Sequence, residues 1–440
     1  MTVTENNQSD GLVNVLTETA TTKTNKAMFI IGALFFVFGF VTWMNSTLIP
    51  YLQIACELQP SEAVLVTFAS YIAYAVMAFP SSWLLKKTGF KKGMMIGLCV
   101  MAIGALVFIP AARSRTFGMF LTGLFVIGTG MALLQTATNP YITILGPIES
   151  AAKRISIMGI CNKFAGTIVP LIMGALLIKN TDNTLTERVA KMNFAQKEVA
   201  LSEMASRLIV PFVVMAIVFI IFALFIYFSH LPEIKAEGED ETAAQTSSVQ
   251  NRSSIFKYPY LWLGFVSLFL YVGVEVMAGD IIPLYGKSIG IPINIAKNFT
   301  SYTMGSMLLG YILGIIAIPK YLSQSSALKI SALLGVLFTI SAIFTHGYTS
   351  VFFIAILGLA NALVWPALWP LAITGLGKYT KTGSALLIVG VAGGGVLTRI
   401  WGKLGEMPSI GYQQAFWIMV PAYLFILYFA VAGHKVGLKK

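Results

Sequence analysis

From Met28 onward the sequence is a succession of long apolar runs joined by short charged connectors, and this pattern restricts the fold more than any single residue does. A helix needs about 20 apolar residues to cross the hydrocarbon core of a bilayer. The runs at 28–52, 60–85, 92–112, 117–146, 155–178, 208–229, 258–284, 298–319, 327–345, 350–374, 382–402 and 412–433 reach or approach that length. They are too long and too little punctuated for barrel strands, whose signature is about ten residues of alternation. The chain therefore reads as an all-α membrane protein with twelve transmembrane helices, here spans 1–12. Only 11% of its 440 residues are charged and 57% are hydrophobic, whereas soluble domains carry about 25% charged residues. A soluble enzyme, a disordered chain and a singly anchored protein are excluded.

Residues 1–26 are polar and rich in Thr and Asn, with no signal-peptide features, and read as a disordered cytoplasmic tail. Residues 27–229 then form a first six-helix bundle and 257–440 a second. The cytoplasmic linker between them, 230–256, is HLPEIKAEGEDETAAQTSSVQNRSSIF. Placing both termini inside puts most of the 30 Lys and Arg on inner connectors, and half of the outer ones fall in one long loop, 179–207. The net charge of +12 is then a consequence of topology, and no nucleic-acid partner is expected. Cys56, Cys99 and Cys161 lie in or beside apolar segments, in no pairing framework.

The two halves match in order. LLQTATNPYIT (Leu133–Thr143) aligns with LVWPALWPLAI (Leu363–Ile373), superposing Pro140 on Pro370. GFVTWMNSTLIPYL (Gly39–Leu52) aligns with VGVEVMAGDIIPLY (Val272–Tyr285), and spans 5 and 11 share Gly166 with Gly394 and Gly174 with Gly402. Parallel six-helix repeats with a site between them are a secondary-transporter architecture.

Nothing reads G-x-x-x-x-G-K-[ST], so the chain carries no ATP-hydrolysing loop. His230, His346 and His434 fall at span ends and read as interfacial; the run Ala392–Gly395 reads as a helix-packing surface. Polar groups inside spans are costly and hence informative. Gln135 and Asn139 share a face of span 4, and Asn361, Trp365 and Trp369 a face of span 10. Tyr271 and Glu275 do so on span 7; Trp43, Asn45 and Ser46 mark span 1. Amides that donate and accept, beside flat rings, suit a pyranose, whose hydroxyls they bond and whose C–H face they stack on. The competing reading is helix–helix glue for the amides and interface anchoring for the tryptophans.

Glu275 and Arg399 lie equally far from Lys257 and Lys381 at the inner ends of their spans, which predicts similar depth and mutual pairing. Lys163 falls close to the midplane, with no carboxylate expected at its level, and reads as functional. Asp280 falls nearer the outer surface and reads as wetted.

The segments NSTLIPYLQ of span 1, ALLQTATNPYITILGP of span 4, CNKFAG of span 5 and YVGVEV of span 7 resemble the fucose–galactose–glucose symporter family of the major facilitator superfamily. Within it the glucose/galactose branch, which includes bacterial N-acetylglucosamine permeases, is the more similar. The likeness runs from about residue 28 to 433, although LLKKTGFKKG between spans 2 and 3 has Lys86 where the superfamily usually has Asp. Proton-coupled fucose members carry carboxylates in N-D-x-L-x-P and L-E-T-A-x-N-P; this chain has Ser46 and Gln135 there, neither of which titrates. The resemblance implies a bacterial cytoplasmic-membrane transporter, a monomer in the lipid bilayer without cofactor or covalent chemistry. Its substrate would be glucose, galactose or N-acetylglucosamine, imported by alternating access.

On this reading Gln135, Asn139, Asn162 and Asn361 bind hydroxyls, Trp43 and Trp365 stack, and Lys163, Glu275 and Arg399 bind substrate or hold the gate. Glucose/galactose relatives sharing the span 4 Gln are linked to Na⁺, for which Asn45, Ser46, Gln135 and Asn139 offer oxygen ligands; the charge of Lys163 opposes this. A uniporter, a proton symporter, a drug or lipid exporter and a non-transporting sugar sensor are the alternatives.

Overall fold

A computed structural model describes residues 4–144, 151–178, 191–229, 254–318, 321–376 and 379–437. Eleven stretches of these residues are long and apolar enough to cross a membrane, and one of them, Pro60–Ser114, contains two crossings. Its helix, Leu65–Ser114, reverses at Gly89, where φ is 75° and ψ is 172°. A backbone with positive φ is open to glycine at little cost, so the LLKKTGFKKG connector turns there without a loop of its own. Twelve crossings result, and no strand occurs among the described residues.

Span 1 belongs to a helix that runs Thr4–Ala55, its apolar part starting at Ala27. Residues 4–26 are therefore helical, in place of the expected disordered tail; the stretch contains no proline, so nothing in its backbone interrupts the helix. Span 4 is Phe117–Ile144, span 5 Ala151–Leu177, span 6 Ile209–Phe228, span 7 Pro259–Gly279, span 8 Phe299–Ala317, span 9 Gln324–Phe344 and span 12 Met419–Val431. Span 10 is broken between Gly347–Asn361 and Val364–Ile373. Span 11 passes from Thr380–Val389 through a short 3₁₀ turn to Gly393–Gly405. The loop between spans 5 and 6 contains a helix, Phe194–Ser206, that hydropathy could not reveal. Its start is capped reciprocally, Gln196 N–H donating to Asn193 Oδ1 at 2.9 Å and the Asn193 N–H to Gln196 Oε1 at 3.3 Å. Most of the linker, 230–253, lies outside the described residues, as does His230.

Span 6 shows how the outside is made. Val210, Val214, Ile217, Ile221, Leu224 and Phe228 are all exposed and recur every three or four residues, one face of a helix turned to the lipid.

The bundles meet along two seams, spans 2 and 11 on one side and spans 5 and 8 on the other. The paired glycines of the two repeats lie along these contacts. A Cβ on Gly166 would stand 2.5 Å from the Trp43 ring and 3.0 Å from Met304, and one on Gly174 would stand 3.0 Å from Lys297. One on Gly394 would stand 2.8 Å from Tyr71, and one on Gly402 2.9 Å from Val64. Gly393–Gly395 likewise pack against Phe269, Tyr71 and Phe68, as a small-residue helix surface does.

Candidate functional site

The residues that the sequence singles out fall into one connected chain and several satellites. On span 1, Trp43 is 2% exposed, and its Nε1 donates to Asn162 Oδ1 of span 5 at 3.2 Å. The next residue, Lys163, places Nζ 4.4 Å from the centre of the same ring. That ammonium donates to Glu275 Oε1 of span 7 at 2.7 Å, both side chains about nine-tenths buried. Tyr271, one turn before Glu275, has its hydroxyl beside that carboxylate, and its ring centre lies 6.4 Å from that of Trp365. Trp365 stacks on Trp369 at 5.3 Å. A continuous line of rings and charges thus runs from spans 1 and 5 of one bundle to spans 7 and 10 of the other.

This corrects the expected pairing. Glu275 meets Lys163, not Arg399, and Lys163 does have a carboxylate at its level. Counting residues from the span ends misjudged the level of Lys163, and it does not give the side on which a residue emerges, since successive residues turn by about 100° around the helix axis. Arg399 faces away from Glu275, and its guanidinium donates to the Ser61 carbonyl.

The amides stand apart from this line. Gln135 Nε2 donates to the Tyr74 hydroxyl of span 2 at 2.9 Å. Asn361, 1% exposed, accepts from the Tyr423 hydroxyl of span 12 at 2.9 Å, and its own Nδ2 has no partner among the described residues. Asn139 follows Gln135 by one turn. The Ser46 hydroxyl donates to the Trp43 carbonyl of its own helix at 2.7 Å. Asn45 lines a recess with Val41, Tyr71, Tyr74 and Met131. The recess holds 20 Å³, about the room one water needs, far too little for a six-membered ring. The tyrosine partners of the two amides, Tyr74 and Tyr423, are not singled out in the sequence. A hydroxyl in mid-span was the available signal.

Two further expectations are overturned. Asp280 is not wetted: it is 0% exposed. His434, expected at a solvated interface, is buried with Nδ1 2.9 Å from the Phe429 carbonyl oxygen.

The end of the bundles away from the termini is latched in three places. Ser61, at the start of span 2, receives Arg399 on its carbonyl and donates its N–H to Glu406 Oε1 at 2.9 Å, both partners coming from span 11 and the turn that follows it. Burial acts to raise the Glu406 carboxyl, and its bonds from Ser61 with the charges of Lys403 and Arg399 outweigh that, leaving it below the ordinary range. Lys287 Nζ donates to Gln53 Oε1 at 2.8 Å, and burial lowers that ammonium to about 8. Lys297 Nζ reaches the carbonyls of Gly174 at 3.0 Å and Ile178 at 3.2 Å. All three latches join one bundle to the other.

Comparison with known proteins agrees with this geometry. The family model for the Major Facilitator Superfamily matches residues 31–398. A glucose/galactose transporter of Brucella abortus is 31% identical over 425 residues, 95% of this chain and 97% of its own. The L-fucose-proton symporter of Escherichia coli is 26% identical over 92% of each chain. The crystal structure of the major facilitator transporter FucP in the outward conformation superposes with a TM-score of 0.72 at 23% identity, covering 95% of this chain and all of that one. A D-xylose-proton symporter structure superposes with a TM-score of 0.66. The chain belongs to the major facilitator superfamily, in its fucose–galactose–glucose symporter family.

Proposed function

We propose that this protein imports a neutral monosaccharide, a hexose or N-acetylhexosamine, across the bacterial cytoplasmic membrane by rocking its two six-helix bundles about a site between them. The carrying observation is the line Trp43–Asn162–Lys163–Glu275–Tyr271–Trp365, polar and aromatic groups bridging the two bundles inside the membrane. Rings that stack and amides that bond hydroxyls are what a pyranose needs, and Gln135, Asn139 and Asn361 stand on the flanking helices. Likeness to the Brucella glucose/galactose transporter supports a glucose/galactose substrate. Both termini lie in the cytoplasm on the charge distribution.

In this reading the outer end is the closed one. Gln53, Ser61, Lys287, Lys297 and Glu406 all sit where the spans leave the membrane on that side, and their bonds hold the bundles together there. Substrate reaches the site after these latches part.

Of the four side chains suited to sodium, Ser46 donates its hydroxyl proton to a backbone carbonyl and Gln135 donates its nitrogen to Tyr74, which leaves the lone pairs of both side-chain oxygens for a cation. Sodium coupling would draw on the side-chain oxygens of Asn45, Ser46, Gln135 and Asn139. The experiment is counterflow and gradient-driven uptake in proteoliposomes, with labelled glucose, galactose, fucose and N-acetylglucosamine. Each sugar is offered under an imposed Na⁺ gradient, a proton gradient or neither. Accumulation of one sugar establishes import. Exchange without accumulation makes the protein a uniporter, and silence with every sugar removes the reading.

A further inference from the structure

Span 7 carries two carboxylates into the bundle interface, and the one at its outer end is unaccounted for. Asp280 caps the helix, its N–H bonded to the Val276 carbonyl at 2.7 Å, and is 0% exposed. Its Oδ2 receives one long bond, 3.4 Å, from the Thr67 hydroxyl of span 2, and its Oδ1 has no partner among the described residues. No cation among them pairs with it. The titratable groups whose fields reach it are Glu275 on its own helix, Lys163 on span 5 and Tyr71 on span 2. The one ammonium among these is already bonded to Glu275. Two ionised carboxylates would share a single lysine at a place closed to bulk solvent.

Two residues of the opposite bundle pack against this end of span 7. Thr67 is fully buried against it. Trp43 covers the preceding residue so closely that a Cβ on Gly279 would stand 2.3 Å from the indole ring. When the outer latches part, Thr67 and Trp43 withdraw with their bundle and Asp280 meets the outer water. Its environment therefore switches with the conformational change, while Glu275 keeps a partner inside the closed state.

We infer that Asp280 is a proton-binding site coupled to the outer gate: the bundles close over it when its carboxyl is protonated, and the ionised carboxylate holds the outer side open. The inference rests on the alternating-access reading above. The reason is the cost of burying a carboxylate without a counter-charge or a full set of donors, which exceeds that of burying the neutral acid. The proton comes from the outer aqueous face and adds to a carboxylate oxygen; no other bond changes. Acidity outside thus favours the closed outer gate, and raising the pH favours opening.

The test is a distance measured across the outer side against pH, without sugar. Spin labels are attached at Thr116→Cys and Met407→Cys, exposed outer positions of the two bundles. The background has Cys56, Cys99 and Cys161 replaced by alanine, and the full chain is reconstituted in lipid vesicles. Below pH 8, short of the Lys287 window, the expected result is a distance that lengthens as pH rises, stays short in Asp280→Asn, and still lengthens in Glu275→Gln. If Asp280→Asn does not assemble, the smaller neutral Asp280→Ser takes its place. The proposal is overturned by lengthening that persists in the Asp280 variant, or by a wild-type distance indifferent to pH. Lengthening that follows Na⁺ concentration at constant pH also overturns it, assigning the pocket to a metal cation. A wild type that carries no sugar in the flux assay removes the transport reading, and the distance measurement still decides Asp280.

Discussion

Glu275 and Asp280 sit five residues apart on one helix, are both buried, and face opposite seams of the molecule. Glu275 reaches span 5 and meets the ammonium of Lys163 at 2.7 Å, with Trp43 over the same ammonium. Asp280 reaches span 2 and meets a hydroxyl at 3.4 Å. The same chemical group is thus built into a closed ion pair in one place and left with an unmet oxygen in the other. A buried ion pair whose members satisfy each other is costly to break from one side, because the survivor is an uncompensated charge. A buried carboxyl without a cation is instead stable as the neutral acid and responsive to wetting. The first is suited to fixing the register of the two bundles, the second to sensing whether they are apart.

The largest expected effect comes from breaking the pair on one side. Lys163→Met strands Glu275, at a cost of about 3–5 kcal/mol to the closed state, seen as a lowered melting temperature in detergent, and uptake is abolished. Removing both charges in Lys163→Met/Glu275→Leu returns most of that stability, because the stranded charge is gone, but not the uptake. A double variant as unstable as the single one would show that the pair does not behave as a closed unit.

Next is Gly279→Ala, which introduces a Cβ into the Trp43 ring beside Asp280. Overpacking of this kind costs about 1–3 kcal/mol, and here it acts on the closed outer gate. Greater labelling of an outer cysteine is the expected readout. Unchanged labelling would mean that Trp43 does not seal this place.

The two amide–tyrosine bonds extend the comparison to the flanking helices. Asn361→Ala orphans the Tyr423 hydroxyl in a fully buried site and should destabilise by about 1–3 kcal/mol. Gln135 is only partly buried, so Gln135→Ala should leave the melting temperature nearly unchanged while abolishing sugar uptake. Equal losses of stability in the two variants would erase the distinction between a structural and a substrate-facing amide.

The smallest effect is at Lys287, which separates two pH responses of opposite sign. Burial in the closed state lowers its ammonium from 10.5 to about 8. Between those values the closed state holds the neutral amine and the open state the charged one, so raising the pH through this window favours closure. Asp280 acts in the other direction, deprotonation favouring opening. Lys287→Met should remove the alkaline response and leave the Asp280-dependent one in the distance measurement. Loss of both would tie them to a single group.

Much of the molecule is legible in the amino-acid sequence. The twelve spans follow from apolar length, because crossing a bilayer is a one-dimensional requirement that composition and run length satisfy. The repeat relation of spans 5 and 11 is legible in Gly166 with Gly394 and Gly174 with Gly402, since close approach of helices demands small residues wherever the seam is. Trp43, Asn162, Lys163, Glu275 and Trp365 can be named as a group because polar and aromatic side chains inside a span need a reason. Their partners cannot. Depth along a helix can be counted from its end, but the side on which a residue emerges relative to its neighbours depends on how the helices are rotated and packed. That rotation gave Glu275 to Lys163, turned Arg399 to the Ser61 carbonyl, set Tyr74 and Tyr423 on the two amides, and enclosed the Asp280 that counting had left in water. The chain by itself determined that it lives in the membrane, in twelve helices and two halves, with polar groups on particular spans. Tertiary packing alone decided which of its buried charges are neutralised and which one is left to a proton.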